Sequence, residues 1–156
     1  MSESGKLEAP VDDGFCFGCG AKSSIGLHMS FTELADRSVE SRLVLSPAYQ
    51  GWQGVAHGGI VALVLDEAMA YAAAAHGYLG VTGEMKMRFR RPVPIGKALL
   101  VRGKVLWQRR NVFGIEASIA SEDGTTHFAG GEGSFVSRGK LAPGQRLGAL
   151  SSDGRP

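Results

Sequence analysis

The longest apolar run in the chain, IVALVLDEAMAYAAAA at residues 60–75, is interrupted by two acids, Asp66 and Glu67, and introduced by His57, Gly58 and Gly59. Its apolar positions lie nearly all round a helical wheel, which predicts a helix buried on most sides by chain that wraps it. Ahead of it, LHMSFTEL and SVESRLVLS predict two strands separated by Ala35, Asp36 and Arg37, and YQGWQGVA reads as a loop. Behind it, EMKMRFR alternates, with Met85, Met87 and Phe89 on one face and Glu84, Lys86, Arg88 and Arg90 on the other. That is the pattern of a half-buried strand, and Pro92 and Pro94 end it. Residues 97–109 alternate through Leu99, Val101, Val105 and Trp107; FGIEASIA follows, and a Glu-Asp-Gly-Thr turn at 122–125 leads into THFAGGEGSFV. Gly130, Gly131 and Gly133 in that last strand signal bends or close approach of another backbone. Two strands, one buried helix and four antiparallel strands make an α+β domain, a sheet curled round a central helix.

At 156 residues the chain fits one domain. Periodicity confines that domain to residues 14–137. The segments 1–13 and 138–156 lack it, the second being rich in Gly, Pro and Ser, and both are expected to be flexible tails. A formal charge of +2, with no helix-turn-helix, RNP or zinc-finger spacing, gives no support for nucleic-acid binding. No signal-peptide grammar opens the chain, and the two acids inside the apolar run argue against a membrane span, so a soluble cytoplasmic protein is expected. Cys16 and Cys19 form a C-x-x-C that could be a redox pair or half of a zinc site. Zinc wants four ligands, and His28 offers at most a third, so an ordinary turn with two reduced thiols is the preferred reading. No metal or redox cofactor is expected.

Charge inside an apolar helix costs several kcal/mol unless something satisfies it. Asp66 therefore marks a candidate site, against the alternative that it only completes a buried polar network or pairs with an arginine. At the helix start, glycines leave backbone N–H groups approachable where the helix dipole favours negative charge, although such glycines can also serve tight packing alone. Donors and a carboxylate are the parts of an acyl-transfer or hydrolysis site. Asp66 lies eight residues beyond Gly58, about 12 Å along a helix at 1.5 Å per residue. One chain cannot aim both at a single carbonyl. A two-fold axis that sets two such helices antiparallel would, because isologous contacts exchange equivalent positions, so the spacing hints at a dimer with two shared sites.

The segments CFGCG and IGLHMSF, YQGWQGVAHGG, LDEA, GVTGEMKMRFRRPVPIG and AGGEGSF, spread over residues 15–137, resemble the hotdog fold and, more narrowly, PaaI-like acyl-CoA thioesterases of the 4-hydroxybenzoyl-CoA thioesterase superfamily. The resemblance implies hydrolysis of an acyl-CoA to free acid and CoA, at sites built across a subunit interface in a homodimer or a homotetramer of two dimers. It selects Asp66, nine residues after His57, as the acid, acting either as general base for water or as nucleophile. Gly58 N–H becomes the oxyanion donor, with Gly59 beside it at the substrate; His57 orients the turn, and Thr82 stands where similar enzymes position water with a hydroxyl. Gln50 is a weaker candidate for polarising the carbonyl. Arg88, Arg90 and Arg91 are candidates for the phosphates of CoA, against the plainer reading of a solvated sheet face. Trp52, Met69 and Tyr71 suit an acyl pocket as well as they suit core or interface. Glu67 is given a structural or substrate-lining role. The competing function is a non-catalytic acyl-CoA-binding hotdog protein. A hotdog dehydratase is a third option, disfavoured by the order of His57 and Asp66.

Overall fold

The computed structural model describes residues 10–148 and 150–152. The apolar run forms α1 (Gly58–Ala75), capped by His57, whose imidazole Nδ1 accepts the Gly59 N–H at 2.9 Å. This bond satisfies one of the donors that the first turn of any helix leaves without an internal partner. At the other end, Gly77 adopts φ 85° and reverses the chain into the next strand. That left-handed conformation suits glycine at a helix C-terminus.

Strands β1 (Phe31–Glu33) and β2 (Val39–Val44) precede the helix; β3 (Tyr78–Phe89), β4 (Ala98–Arg109), β5 (Val112–Ser121) and β6 (His127–Lys140) follow, and β7 (Leu150–Ser152) comes last. They form one sheet in the order β3-β6-β5-β4-β2-β1-β7. Neighbours are antiparallel except β1 and β7, which run parallel. On one face of this sheet α1 touches β1 through β6. A single helix reaches that many strands only if the sheet curves round it, which is the hotdog architecture.

The alanines explain how close the two layers come. Ala68, Ala72 and Ala73 are fully buried. Opposite them, a Cβ at Gly103 of β4 would lie 2.3 Å from the Ala68 carbonyl oxygen, so small residues on both sides set the helix against the sheet. Larger side chains fill the remaining space, among them Tyr71 stacked on Phe31 with ring centroids 4.4 Å apart. Full burial of an apolar side chain of that size stabilises the fold by roughly 1.5–3 kcal/mol.

Two boundaries differ from the sequence expectation. β3 begins at Tyr78, well before Glu84, because register shifts between Leu79 and Gly80 and between Thr82 and Glu84 break the alternation that would have revealed its first half. At the other terminus, β6 continues to Lys140 and Leu150–Ser152 pairs with β1, where a flexible tail was expected from residue 138. Leu150 is buried, and Leu141 and Leu147 pack against the core. Three leucines thus anchor a stretch whose Gly, Pro and Ser content suggested none. Residues 1–9 and 153–156 of the expected tails lie outside the described residues. The glycines of β6 do mark close approach: a Cβ at Gly131 or Gly133 would meet a β3 carbonyl oxygen, of Lys86 or Glu84, at 2.7 Å.

Candidate active site

Asp66 leaves α1 toward β3, where the Thr82 hydroxyl donates to its Oδ1. Both residues are half-buried. Simple alternation back from Met85 and Met87 would put Thr82 on the opposite face. The bulge between Thr82 and Glu84 inserts Gly83 and reverses the parity, so that Gly80 and Thr82 before it share the covered face with Met85 and Met87 after it. A bulge is one way a strand re-aims a side chain next to a site.

The start of α1 is open. His57, Gly58 and Gly59 are exposed. His57 occupies the Gly59 N–H, while the Gly58 N–H has no acceptor among the described residues. The preceding loop folds back on itself through a bridge between Gln50 and Ala56 and a bond from the Gly51 N–H to the Val55 carbonyl at 2.9 Å, which sets Gln50 beside this helix end. The side-chain oxygen of Gln50 accepts the Gly54 N–H at 3.3 Å, directing part of its hydrogen-bonding capacity into the loop. Phe89, the last residue of β3, comes close: its ring edge lies 3.9 Å from where a Gly58 Cβ would stand.

Within one chain, the Asp66–Thr82 pair and the Gly58 N–H are separated by about 12 Å of helix. Arg88 and Arg90 are exposed and line a groove of about 350 Å³ with Lys86, Glu116 and Glu132, on the face of β3 away from α1. Arg91 is exposed beyond the end of β3 and outside that lining. Met69 and Tyr71 are core residues, whereas Trp52 is 85% exposed.

Sequence reasoning did not find the surroundings of Glu67. The Cys16 thiol donates to this carboxylate at 3.5 Å, and Cys16, Cys19 and Glu67 together line a cavity of about 260 Å³. Burial pushes the Glu67 carboxyl above its usual range; the Cys19 and Cys16 thiols hold it back and the charge of Asp66 pushes it further up. The Cys19 thiol is driven far above its ordinary value, first by burial and then by Glu67. Gly18, which makes room for Glu67 inside the C-x-x-C turn, was the available signal.

A curved antiparallel sheet wrapped round one central helix defines the class as a hotdog fold. The sequence model of the thioesterase superfamily matches residues 53–127. A thioesterase superfamily protein of known structure is 29% identical, superposes with a TM-score of 0.74 over 79% of this chain, and is matched over only 60% of its own length. The PaaI protein of the Escherichia coli phenylacetic acid degradation operon shares the fold at 19% identity, TM-score 0.67, over 74% of this chain and 83% of its own. So does a hypothetical thioesterase of Streptococcus pneumoniae TIGR4 solved with coenzyme A, at 17% identity, TM-score 0.68, over 73% and 91%. That protein has also been solved with an aspartate and with a threonine replaced by alanine, the two positions sixteen residues apart.

Proposed function

We propose that the protein is an acyl-CoA thioesterase that releases the free acid and CoA in a homo-oligomer. The observation that carries this reading is the pairing of Asp66 with Thr82 on a helix whose own start offers an unpartnered Gly58 N–H. The sixteen-residue spacing of Asp66 and Thr82 equals that of the aspartate and threonine altered in the CoA-bound relative.

Thr82 donates its proton to one oxygen of Asp66, leaving the other oxygen to accept a proton from water, and the Thr82 oxygen keeps lone pairs to orient that water. Attack on the thioester carbon places negative charge on the carbonyl oxygen. A Gly58 N–H, from a partner subunit related by a two-fold axis, stabilises it, a contribution of about 3 kcal/mol for one such donor. Collapse breaks the carbon–sulfur bond, and the proton taken up by Asp66 passes to the departing thiolate. Direct attack by Asp66 would instead give an anhydride that water opens; single turnover in heavy-oxygen water separates the routes by whether label first enters Asp66.

Support for the shared site is physical. β3 stands at the edge of the sheet along its 12 residues, with Val81 and Phe89 exposed on it and Trp52 exposed near the helix start. An uncovered edge of that length invites pairing with a second copy. Arg88 and Arg90 supply the cationic groups that CoA phosphates require. The reaction needs no metal or redox cofactor, and we place the protein in the cytoplasm, where acyl-CoA is made and used.

Thiol release from aryl-, short-, medium- and long-chain acyl-CoAs tests this, with wild type beside Asp66→Asn. Hydrolysis by the first and its loss in the second are expected. Binding of CoA esters by both, with hydrolysis by neither, would make the protein a carrier or sensor instead.

A further inference from the structure

The C-x-x-C turn is short of ligands when read along the chain, because the group that completes it lies 51 residues away. His28 is not part of the cluster, and its Nε2 is engaged 2.6 Å from the Ser23 carbonyl oxygen. Glu67 does face the turn: one ligand atom from each of Cys16, Cys19 and Glu67 falls within 4.8 Å of the others. The Cys16 sulfur is 3.5 Å from Oε1 and 3.8 Å from Oε2 of Glu67. In a tetrahedral zinc site with bonds of about 2.3 Å to sulfur and 2.0–2.2 Å to oxygen, a sulfur and an oxygen ligand stand roughly 3.5–3.7 Å apart.

The turn is also built to receive the carboxylate. A Cβ at Gly18 would come within 2.5 Å of Glu67 Cδ, and one at Gly20 within 2.4 Å of the Cys16 nitrogen. Backbone bonds brace it, from the Gly20 N–H to the Cys16 carbonyl at 2.8 Å, and to Phe17 and Gly18 from Leu27 and Met29 at 2.9 Å each. Beyond the three groups opens the 260 Å³ cavity, with Asp12, Asp13 and Leu79 on its wall, which leaves space for water in a fourth position. Two thiols with one carboxylate select a borderline-soft divalent ion over magnesium or calcium, and two cysteines are too few to hold an iron–sulfur cluster.

We propose that Cys16, Cys19 and Glu67 bind one zinc ion, which pins the N-terminal turn to the central helix. Because Glu67 is adjacent to Asp66, the pin also restrains the rotation of α1 about its axis. Loading the site requires both cysteines as thiolates, so binding and folding of this turn are linked.

The full chain, purified with both thiols reduced, is titrated with cobalt(II) and the cobalt then displaced by zinc, with no thioester present. One cobalt per chain is expected, with thiolate-to-cobalt charge-transfer absorption and tetrahedral visible bands that zinc abolishes. Cys16→Ser and Cys19→Ser should each remove most of the charge-transfer intensity. Loss of an outer-shell partner alone weakens metal sites roughly 10–100-fold, so Glu67→Gln should reduce zinc affinity at least about tenfold while keeping thiolate absorption and the native circular dichroism spectrum. Zinc should raise the melting temperature of wild type and not of the double serine variant. Reduced wild type that gives no charge-transfer band at micromolar cobalt overturns the proposal. So does a zinc affinity that Glu67→Gln leaves unchanged, which would make the thiols a ligand or redox pair without the helix. None of these readouts depends on hydrolytic activity, so the thioesterase reading stands or falls separately.

Discussion

Asp66 and Glu67 are consecutive on α1 yet point about 100° apart, as 3.6 residues per turn dictates, and they meet different surroundings. Asp66 looks to β3, where the Thr82 hydroxyl reaches one carboxylate oxygen and the other has no hydrogen-bond partner among the described residues. Glu67 looks to the N-terminal turn, where two thiols and a glycine with no room for a side chain enclose it. One carboxylate keeps capacity for a proton and a ligand; the other is drawn into the scaffold. On the proposed reading, a helix wrapped by a sheet carries chemistry on one face and attaches a loop on the next, with a single peptide bond between them.

The substitution that separates the two most sharply is Asp66→Asn, which keeps shape and deletes the charge of the proposed base. Under saturating acyl-CoA it should lower kcat by about 10³-fold, within the range general bases supply, with little change in melting temperature. Turnover within a few-fold of wild type would move the chemistry away from this face. Next in size is Gly58→Pro. Proline fits the first helical position, and His57 before it already has the extended conformation proline demands, with φ −60° and ψ 137°. Helix and fold should persist while the donor disappears, and kcat should fall by roughly 10²–10³-fold. Mixed oligomers of the Asp66→Asn and Gly58→Pro chains should regain part of the activity, since one hybrid site keeps both groups. Verified, folded hybrids with none would count against sites shared between chains.

Much of this arrangement was legible beforehand, for reasons that particular residues make plain. The His57-Gly58-Gly59 start and the apolar run behind it announced α1, and Met85 and Met87 announced the second half of β3, because both patterns are local. Alternation stops short of Thr82, because Gly83 makes a bulge and a period-two reading ends at a bulge. The partnership of Glu67 with Cys16 was invisible for another reason: chain topology, not spacing, brings residues 51 apart into contact. Leu141, Leu147 and Leu150 were too sparse to signal a segment that the core nevertheless holds.

Thr82 and Gly18 sharpen the contrast at smaller scale. Thr82→Val removes the hydroxyl and keeps the branched shape; a loss of roughly 10–100-fold in kcat is expected from disordered positioning, with KM little changed and Thr82→Ser restoring most of it. Recovery failing in Thr82→Ser would assign the effect to packing. Gly18→Ala acts on the other face, where its methyl group meets the Glu67 carboxyl. Overpacking of this kind costs roughly 1–3 kcal/mol of stability, read as a lowered urea midpoint, and should leave kcat less affected than Thr82→Val does. A kcat loss larger than that of Thr82→Val would mean that the Glu67 face belongs to the chemistry after all.

Asp123, in the turn between β5 and β6, provides a carboxylate outside both environments. It accepts from the Ser121 hydroxyl at 2.6 Å and from the Thr125 N–H and hydroxyl at 3.0 and 2.8 Å. Those donors, Ser121 first, pull it from 3.8 down to about 2, opposite to the direction in which burial drives Glu67. A depressed folded-state value means that the charged form stabilises the fold above the unfolded value of 3.8, and that this contribution disappears as pH falls toward about 2. The turn is exposed and water screens it, so Asp123→Asn should have the smallest effect of the series: a slightly lower melting temperature at pH 7, with the gap from wild type closing between pH 4 and pH 2. A gap that stayed constant across that range would trace the loss to turn geometry and not to charge.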